Sequence, residues 1–407
     1  MGARQTAAAA RRSSTIVHNA DGNQRSRGSH PAPPATSWRL AWLAALVLAL
    51  PLLIGCGSRS HRLEVGVVED AAKTGRPVAE LQRTAASGFR AVVLSSLWAY
   101  GETAPAPAER IALVAATEAA KAAGVEPIVA VYQTSSQTPT SASDRADFTA
   151  YTAALVRALP DVDRVIVGNE PNLNLFWLPQ FDGQGGDAAA ASFEQLLAAT
   201  YDAVKAVRPS VEVIGGGLAP RGSDNPSSSR ATHSPTSFIL DLGATYRASG
   251  RDRPIMDALS IHPYGESARI PPTLAHPRTT SIGIADYGKL VDLLGRAFEG
   301  TAQRGRDLPI VYGEYGVETT IPPAKAHLYT GHEVVPTVDE QTQQDDYVTA
   351  ISLAACQPTV ESLLLFHLED ESRLEGLQSG VRYADSSPKS SEPAVATAAR
   401  HPRCTRR

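Results

Sequence analysis

Two glutamates in this chain stand at the ends of apolar runs. In RVIVGNEPNLN, residues 164–174, Val165, Ile166 and Val167 lead to Asn169, Glu170 and Pro171. In LPIVYGEYGVET, residues 308–319, Glu314 takes the same place after Ile310 and Val311. A carboxyl group at the end of a buried run is carried by a rigid element. Two such groups facing each other can divide a reaction, one protonating a leaving oxygen while the other engages an electrophilic carbon, as glycosidic cleavage requires. An Asn-Glu-Pro triplet alone is a weak signal. The information lies in two carboxylates at corresponding places.

The elements that must position them are readable. Runs at 63–68, 89–95, 126–132, 163–168, 211–216, 257–262, 309–313 and 361–366 are continuously apolar and largely β-branched, as strands buried on both faces are. Helical texture follows over 107–124, 144–159, 191–207, 284–300, 339–356 and 391–400. Pro107 opens the first of these, Gly124 closes it, and Asp144 is the expected N-cap of the next. Eight βα units over residues 63–402 predict a single-domain α/β fold, a (β/α)8 TIM barrel. A doubly wound open sheet is the alternative, but it lacks a Gly-rich phosphate turn after the first strand. In a barrel the C-terminal ends of all strands share one rim, so Glu170 after strand four and Glu314 after strand seven belong to one mouth.

With Asn169-Glu170 after strand four, Glu314 after strand seven, and His262 and Tyr264 in IHPYG after strand six, the chain resembles the retaining glycoside hydrolases of clan A. Its nearest families are the thirty-ninth and the fifth. The likeness covers residues 63–400 and includes SGVRYADSSPKSSEPAVATAA, which is similar to the clan's segment after strand eight. It implies that Glu170 is the acid/base, that Glu314 is the nucleophile, and that Asn169 binds the sugar 2-hydroxyl. It also implies that Tyr264 donates to the nucleophile and that the reaction is double displacement on a polysaccharide or glycoside. A phenol at Tyr264 and the backbone around Gly313 are expected to lower the pKa of Glu314. Where many clan members have a tryptophan after strand eight, LLLFHLEDE offers Phe366 and His367; His367 is either a substrate ligand or a structural residue. Rival readings are an inactive glycan-binding barrel, or a lyase using one glutamate; no run ends in the lysine a Schiff-base lyase would need.

Trp98 and Trp177 follow strands two and four. With Tyr132, and with Tyr100, Phe176 and Tyr315 nearby, they suit stacking on pyranose faces, unless they only pack loops. Glu69, Asp70, Glu318, Glu369, Asp370 and Glu371 either line the cleft or are solvated loop charges, the commoner role for such acids. No His or Cys cluster has metal-ligand spacing, so neither a catalytic metal nor a cofactor is expected. Segments 221–237 and 320–337 read as long loops shaping the mouth.

The 407 residues, 43% hydrophobic and 20% charged, suit an ordinary globular protein. Residues 1–39 contain six arginines against the single acid Asp21 and read as a disordered basic leader. The rest is therefore more acidic than the overall charge of −4, which excludes nucleic acid as a partner. Residues 40–56, LAWLAALVLALPLLIGC, are short for a membrane span and suit a secretory core. LIGC resembles a lipobox, with Cys56 as the lipidated residue; an uncleaved signal anchor is the alternative. Both readings export a monomeric catalytic domain to the cell envelope. Cys356 and Cys404 then remain as a disulfide pair or two free thiols.

Overall fold

The computed structural model describes residues 62–134 and 137–405. The leader, the 40–56 stretch and Cys56 lie outside the described residues. Among the described residues, no helix is long and apolar enough to cross a membrane.

Eight strands, β1 (Glu64–Val68), β2 (Ala91–Trp98), β3 (Glu126–Gln133), β4 (Arg164–Val167), β5 (Glu212–Leu218), β6 (Ala258–Ile261), β7 (Ile310–Tyr315) and β8 (Val360–Phe366), pair in parallel with their sequence neighbours. Pairing of β1 with β8 closes the barrel. The surrounding helices are α1 (Pro77–Ala86), α2 (Pro107–Ala123), α3 (Ala142–Ala158), α4 (Ala188–Val207), α5 (Pro235–Ala248), α6 (Tyr287–Phe298), α7 (Glu340–Ala355) and α8 (Glu392–Arg400). The chain is thus a (β/α)8 barrel.

Helix boundaries follow local chemistry. Ser141, not Asp144, caps α3: its hydroxyl accepts the Asp144 N–H at 3.1 Å, and Asp144 lies in the first turn, where its charge favours the helix dipole. The segment expected as a loop to residue 237 already turns helical at Pro235, because Ser234 caps and Pro235 is preset for the first turn. Gly124, with φ 72°, ends α2 as expected.

Alternation along the strands explains why the runs are apolar throughout. Outward side chains such as Val65, Val92, Val129 and Val213 join the core beneath the helices. Inward side chains, among them Val93, Ile128, Ile166, Ile214 and Leu364, fill the barrel as a second, smaller core. Below that layer the floor is polar: Arg164 binds the Glu64 carboxylate and donates to Ser362 Oγ at 2.9 Å. Glu212 pairs in register with Arg164. Above the layer stand Tyr132 and Phe366, beneath the mouth.

Cys356, capping the end of α7, is joined to Cys404 beyond α8, with their Cα atoms 4.6 Å apart. The segment after β8 is pinned by a fully buried ion pair, Lys389 to Asp370 at 2.7 Å. Tyr329 also donates to that carboxylate, at 2.8 Å.

Candidate active site

Glu170 lies past the end of β4, on a turn that the backbone would not adopt unaided. Gly168 has φ 79° and Glu170 itself has φ 39°, in the left-handed region that side-chain-bearing residues avoid. Neighbours hold it there. The Glu170 N–H donates to the Gly217 carbonyl at 3.0 Å. Gln133, buried at the end of β3, donates to the carbonyls of Asn169 and Phe176 at 2.9 and 2.8 Å. Asn172 is fully buried and exchanges hydrogen bonds with Ala219 and His233, which ties this loop to the one after β5.

Glu314 belongs to β7, where the ladder to β8 is irregular between Tyr312 and Tyr315. Such a break re-aims side chains at a barrel rim. Tyr264 donates its phenol to Glu314 Oε2 at 3.1 Å.

His262 brings the two carboxylates together. Its Nδ1 is 3.1 Å from Glu170 Oε1 and 3.5 Å from Glu314 Oε2. One nitrogen within reach of both groups means that the two carboxyl groups can flank a single reacting atom. A nitrogen facing carboxylate oxygens carries the proton, so Nδ1–H donates. The ring is buried, and it fits because its neighbours are glycines: a Cβ on Gly217 would lie 3.2 Å from His262 Nε2, and one on Gly313 would lie 3.2 Å from His262 Cδ2.

Burial, the dominant effect, pushes the Glu314 carboxyl above its usual value, and the Glu170 charge adds to this, while His262 and the Tyr264 hydrogen bond pull the other way. The net direction is up, which corrects the expectation of a lowered value: desolvation outweighs the donors. For His262 the balance is reversed. Burial disfavours its charge, but the Glu314 and Glu170 carboxylates prevail and its pKa rises. Burial, with the charges of Glu314, Asp70 and Glu170, drives the Tyr132 phenol well above its ordinary range, so it stays a neutral donor at the floor of the mouth.

A cleft of about 510 Å³ opens over the pair, lined by Glu170, Glu314, Tyr264, Glu266, Glu318 and Arg221 among others. Asn169 Oδ1 is buried and has no hydrogen-bond partner among the described residues. Glu318 Oε2 is in the same condition, and burial pushes that carboxyl up to about 7. Arg221 is committed to backbone, donating to the Gly265 carbonyl at 2.9 Å.

Other expected site residues fall elsewhere. Trp98 and Trp177 are fully buried and do not offer stacking faces. Their indole N–H groups are satisfied by the Glu102 carbonyl and by Ser192 Oγ, and their rings pack edge-on against Phe148 and Phe193. A large ring whose one polar atom finds a partner gains more from burial than from exposure. His367 is pinned by a 2.7 Å contact between Nδ1 and the Val68 carbonyl, with Glu371 3.4 Å from Nε2. Its ring lies against Phe366. Of these acids, Glu318 lines the cleft, Asp370 is buried and Glu69 is half-buried. Gln133 and Asn172 were not anticipated. A polar residue directly after a strand run, as Gln133 is, was the available signal.

No protein-family model matches the chain, and no curated protein matches it in sequence. Solved structures do match in fold. A family 39 glycoside hydrolase from the gut symbiont Bacteroides cellulosilyticus superposes with TM-score 0.60 at 17% identity, covering 84% of this chain and 64% of that one. A family 5 enzyme from Streptomyces cattleya, in complex with Manβ1-4GlcNAc, gives TM-score 0.55 at 16% identity, covering 83% and 80%. A glucosidase from Croceicoccus marinus gives TM-score 0.54 at 14% identity, covering 83% and 67%. This chain thus shares the barrel of several glycoside hydrolases and spans about two thirds of the first of them.

Proposed function

We propose that the chain is a retaining β-glycosidase with Glu170 as acid/base and Glu314 as nucleophile. The observation that carries this reading is the single imidazole nitrogen within reach of both carboxylates, which fits the short separation of a double-displacement pair. Glu170 protonates the leaving oxygen while Glu314 attacks the anomeric carbon, forming a glycosyl ester. Glu170, now a carboxylate, deprotonates the water that cleaves the ester. Tyr264 holds Glu314 in line, and His262 shares its proton between the two acids as charge moves. The unpartnered Asn169 Oδ1 accepts from the sugar 2-hydroxyl, a bond that strengthens as the ring flattens toward an oxocarbenium ion.

The cleft wall carries Glu170, Glu266, Glu314 and Glu318, and its Arg221 is tied to backbone carbonyls. Arg221 keeps its positive charge, but the wall's carboxyl groups outnumber it, which favours neutral sugars over uronates. The substrate is an extracellular or cell-envelope glycan, and the domain is tethered outside the membrane through Cys56.

A 2-fluoro glycosyl inactivator, chosen from a panel of aryl β-glycosides, should add one sugar to the peptide holding Glu314. Labelling elsewhere would overturn the roles. Glu170→Ala should recover turnover in azide with a β-glycosyl azide product; a variant that binds glycan but is not rescued would point instead to an inactive binding barrel.

A further inference from the structure

Behind the loops after β4 and β5, three side chains from separate elements converge. Asp187 caps α4, His233 lies in the loop before α5, and Asp241 lies within α5. One ligand-capable atom from each is within 4.8 Å of the other two. The side chains of Asp187 and His233 are 2% and 4% exposed. His233 Nε2 is 3.3 Å from Asp187 Oδ1 and 2.9 Å from the Gln180 carbonyl. Asp187 Oδ1 also accepts the Ala190 N–H at 2.7 Å. Asp187 Oδ2 is buried and has no hydrogen-bond partner among the described residues.

Charge is unbalanced here. Asp224 adds its field to those of Asp187 and Asp241. Among the described residues, no Lys or Arg forms an ion pair with any of the three; His233 is the one basic partner of Asp187. Three carboxylates around one imidazole, with a desolvated oxygen left over, is a costly arrangement unless something positive enters.

We propose that Asp187, His233 and Asp241 bind a divalent transition ion of zinc type. One imidazole nitrogen and two carboxylate oxygens are a donor set that zinc accepts, whereas calcium and magnesium prefer oxygen alone. In the ion-free structure Nε2 faces the Gln180 carbonyl and so carries a proton; loading moves the ring to its Nδ1–H tautomer, which frees the Nε2 lone pair, and any further proton leaves to solvent. The ion is structural, remote from Glu170 and Glu314 in function but joined to their scaffold. The His233 N–H donates to the Asn172 carbonyl at 2.9 Å, and Asn172 Nδ2 returns a bond to the His233 carbonyl at 3.0 Å. A cation at this junction would brace the loop that begins at Asn169.

The test uses tag-free protein stripped with EDTA and titrated with ZnCl2, read by calorimetry, elemental analysis and thermal unfolding. Expected are one zinc per chain and a rise in Tm of roughly 5 °C near saturation, with no comparable rise from CaCl2. Asp187→Asn, which keeps a capping oxygen, and Asp241→Asn should each weaken zinc binding at least tenfold, on the order of the loss of one ligand. Absence of stoichiometric zinc and of any Tm shift in the unmutated protein would overturn the site. So would undiminished binding when Asp187→Asn and Asp241→Asn are combined in one chain, or a shift with calcium alone. None of these readouts depends on glycosidase activity.

Discussion

The two ends of the barrel both hold inward glutamates, and they treat the charge in opposite ways. At the floor, Glu64 and Glu212 sit around Arg164 with Ser362. A guanidinium never loses its proton at working pH, so the Glu64 carboxylate bound to it has a permanent partner. At the mouth, Glu170 and Glu314 face His262 and Tyr264, neither of which carries a fixed charge. There the proton and the negative charge are free to move, which acid/base work demands. The same residue type, at opposite ends of one barrel, thus has its charge fixed or mobile according to whether its counter-ion is permanent.

That contrast can be tested from both sides. Glu314→Gln should lower kcat/KM on an aryl β-glycoside by at least about 10⁴-fold while leaving the urea midpoint unchanged or raised, because a neutral amide replaces a desolvated acid. Arg164→Met should do the reverse. Removing the permanent partner destabilises the fold by about 3 kcal/mol in urea denaturation, with kcat changed little. Tyr264→Phe is expected to cost roughly 10–100-fold in kcat, as for a lost hydrogen bond to a charged group. It should also shift the acid limb of the kcat/KM profile to higher pH, since the Tyr264 bond opposes the upward shift of Glu314. Glu318→Gln should raise KM several-fold, roughly, with kcat nearly unchanged, if its carboxyl only holds the sugar.

A different kind of effect is a pH dependence of stability. Burial, reinforced by Glu361 and only partly offset by Arg164, pushes Glu212 from 4.5 up to about 7. A raised carboxyl pKa means that the folded state holds the proton more tightly than the unfolded state. The stability it contributes is therefore present below pH 4.5 and lost as pH rises through about 7. Glu212→Gln should flatten that slope by up to one proton's worth, about 1.4 kcal/mol per pH unit, in denaturation curves taken across this window.

Strand count and the placement of Glu170 and Glu314 were legible because both follow from periodicity and punctuation. Eight unbroken apolar runs can be buried on both faces in few ways, and a barrel dictates which ends meet. What escaped was set by partners distant in sequence. Trp98 and Trp177 look alike whether their N–H groups face solvent or meet Glu102 and Ser192. Lys389 gives no local sign that it will be buried against Asp370. The rise in the Glu314 pKa depends on how completely the mouth excludes water, which no motif records. Helix starts were misread where two capping residues competed, as Ser141 and Asp144 did.

The backbone at Glu170 carries a further consequence. An L-residue held at φ 39° costs on the order of 1 kcal/mol that glycine would not incur, so the position is uncomfortable for the residue that the chemistry needs there. A search for heat-resistant variants, blind to turnover, should therefore favour Glu170→Gly and deliver a sturdier protein with no catalysis. Evolution toward robustness and evolution toward activity pull this one codon in different directions.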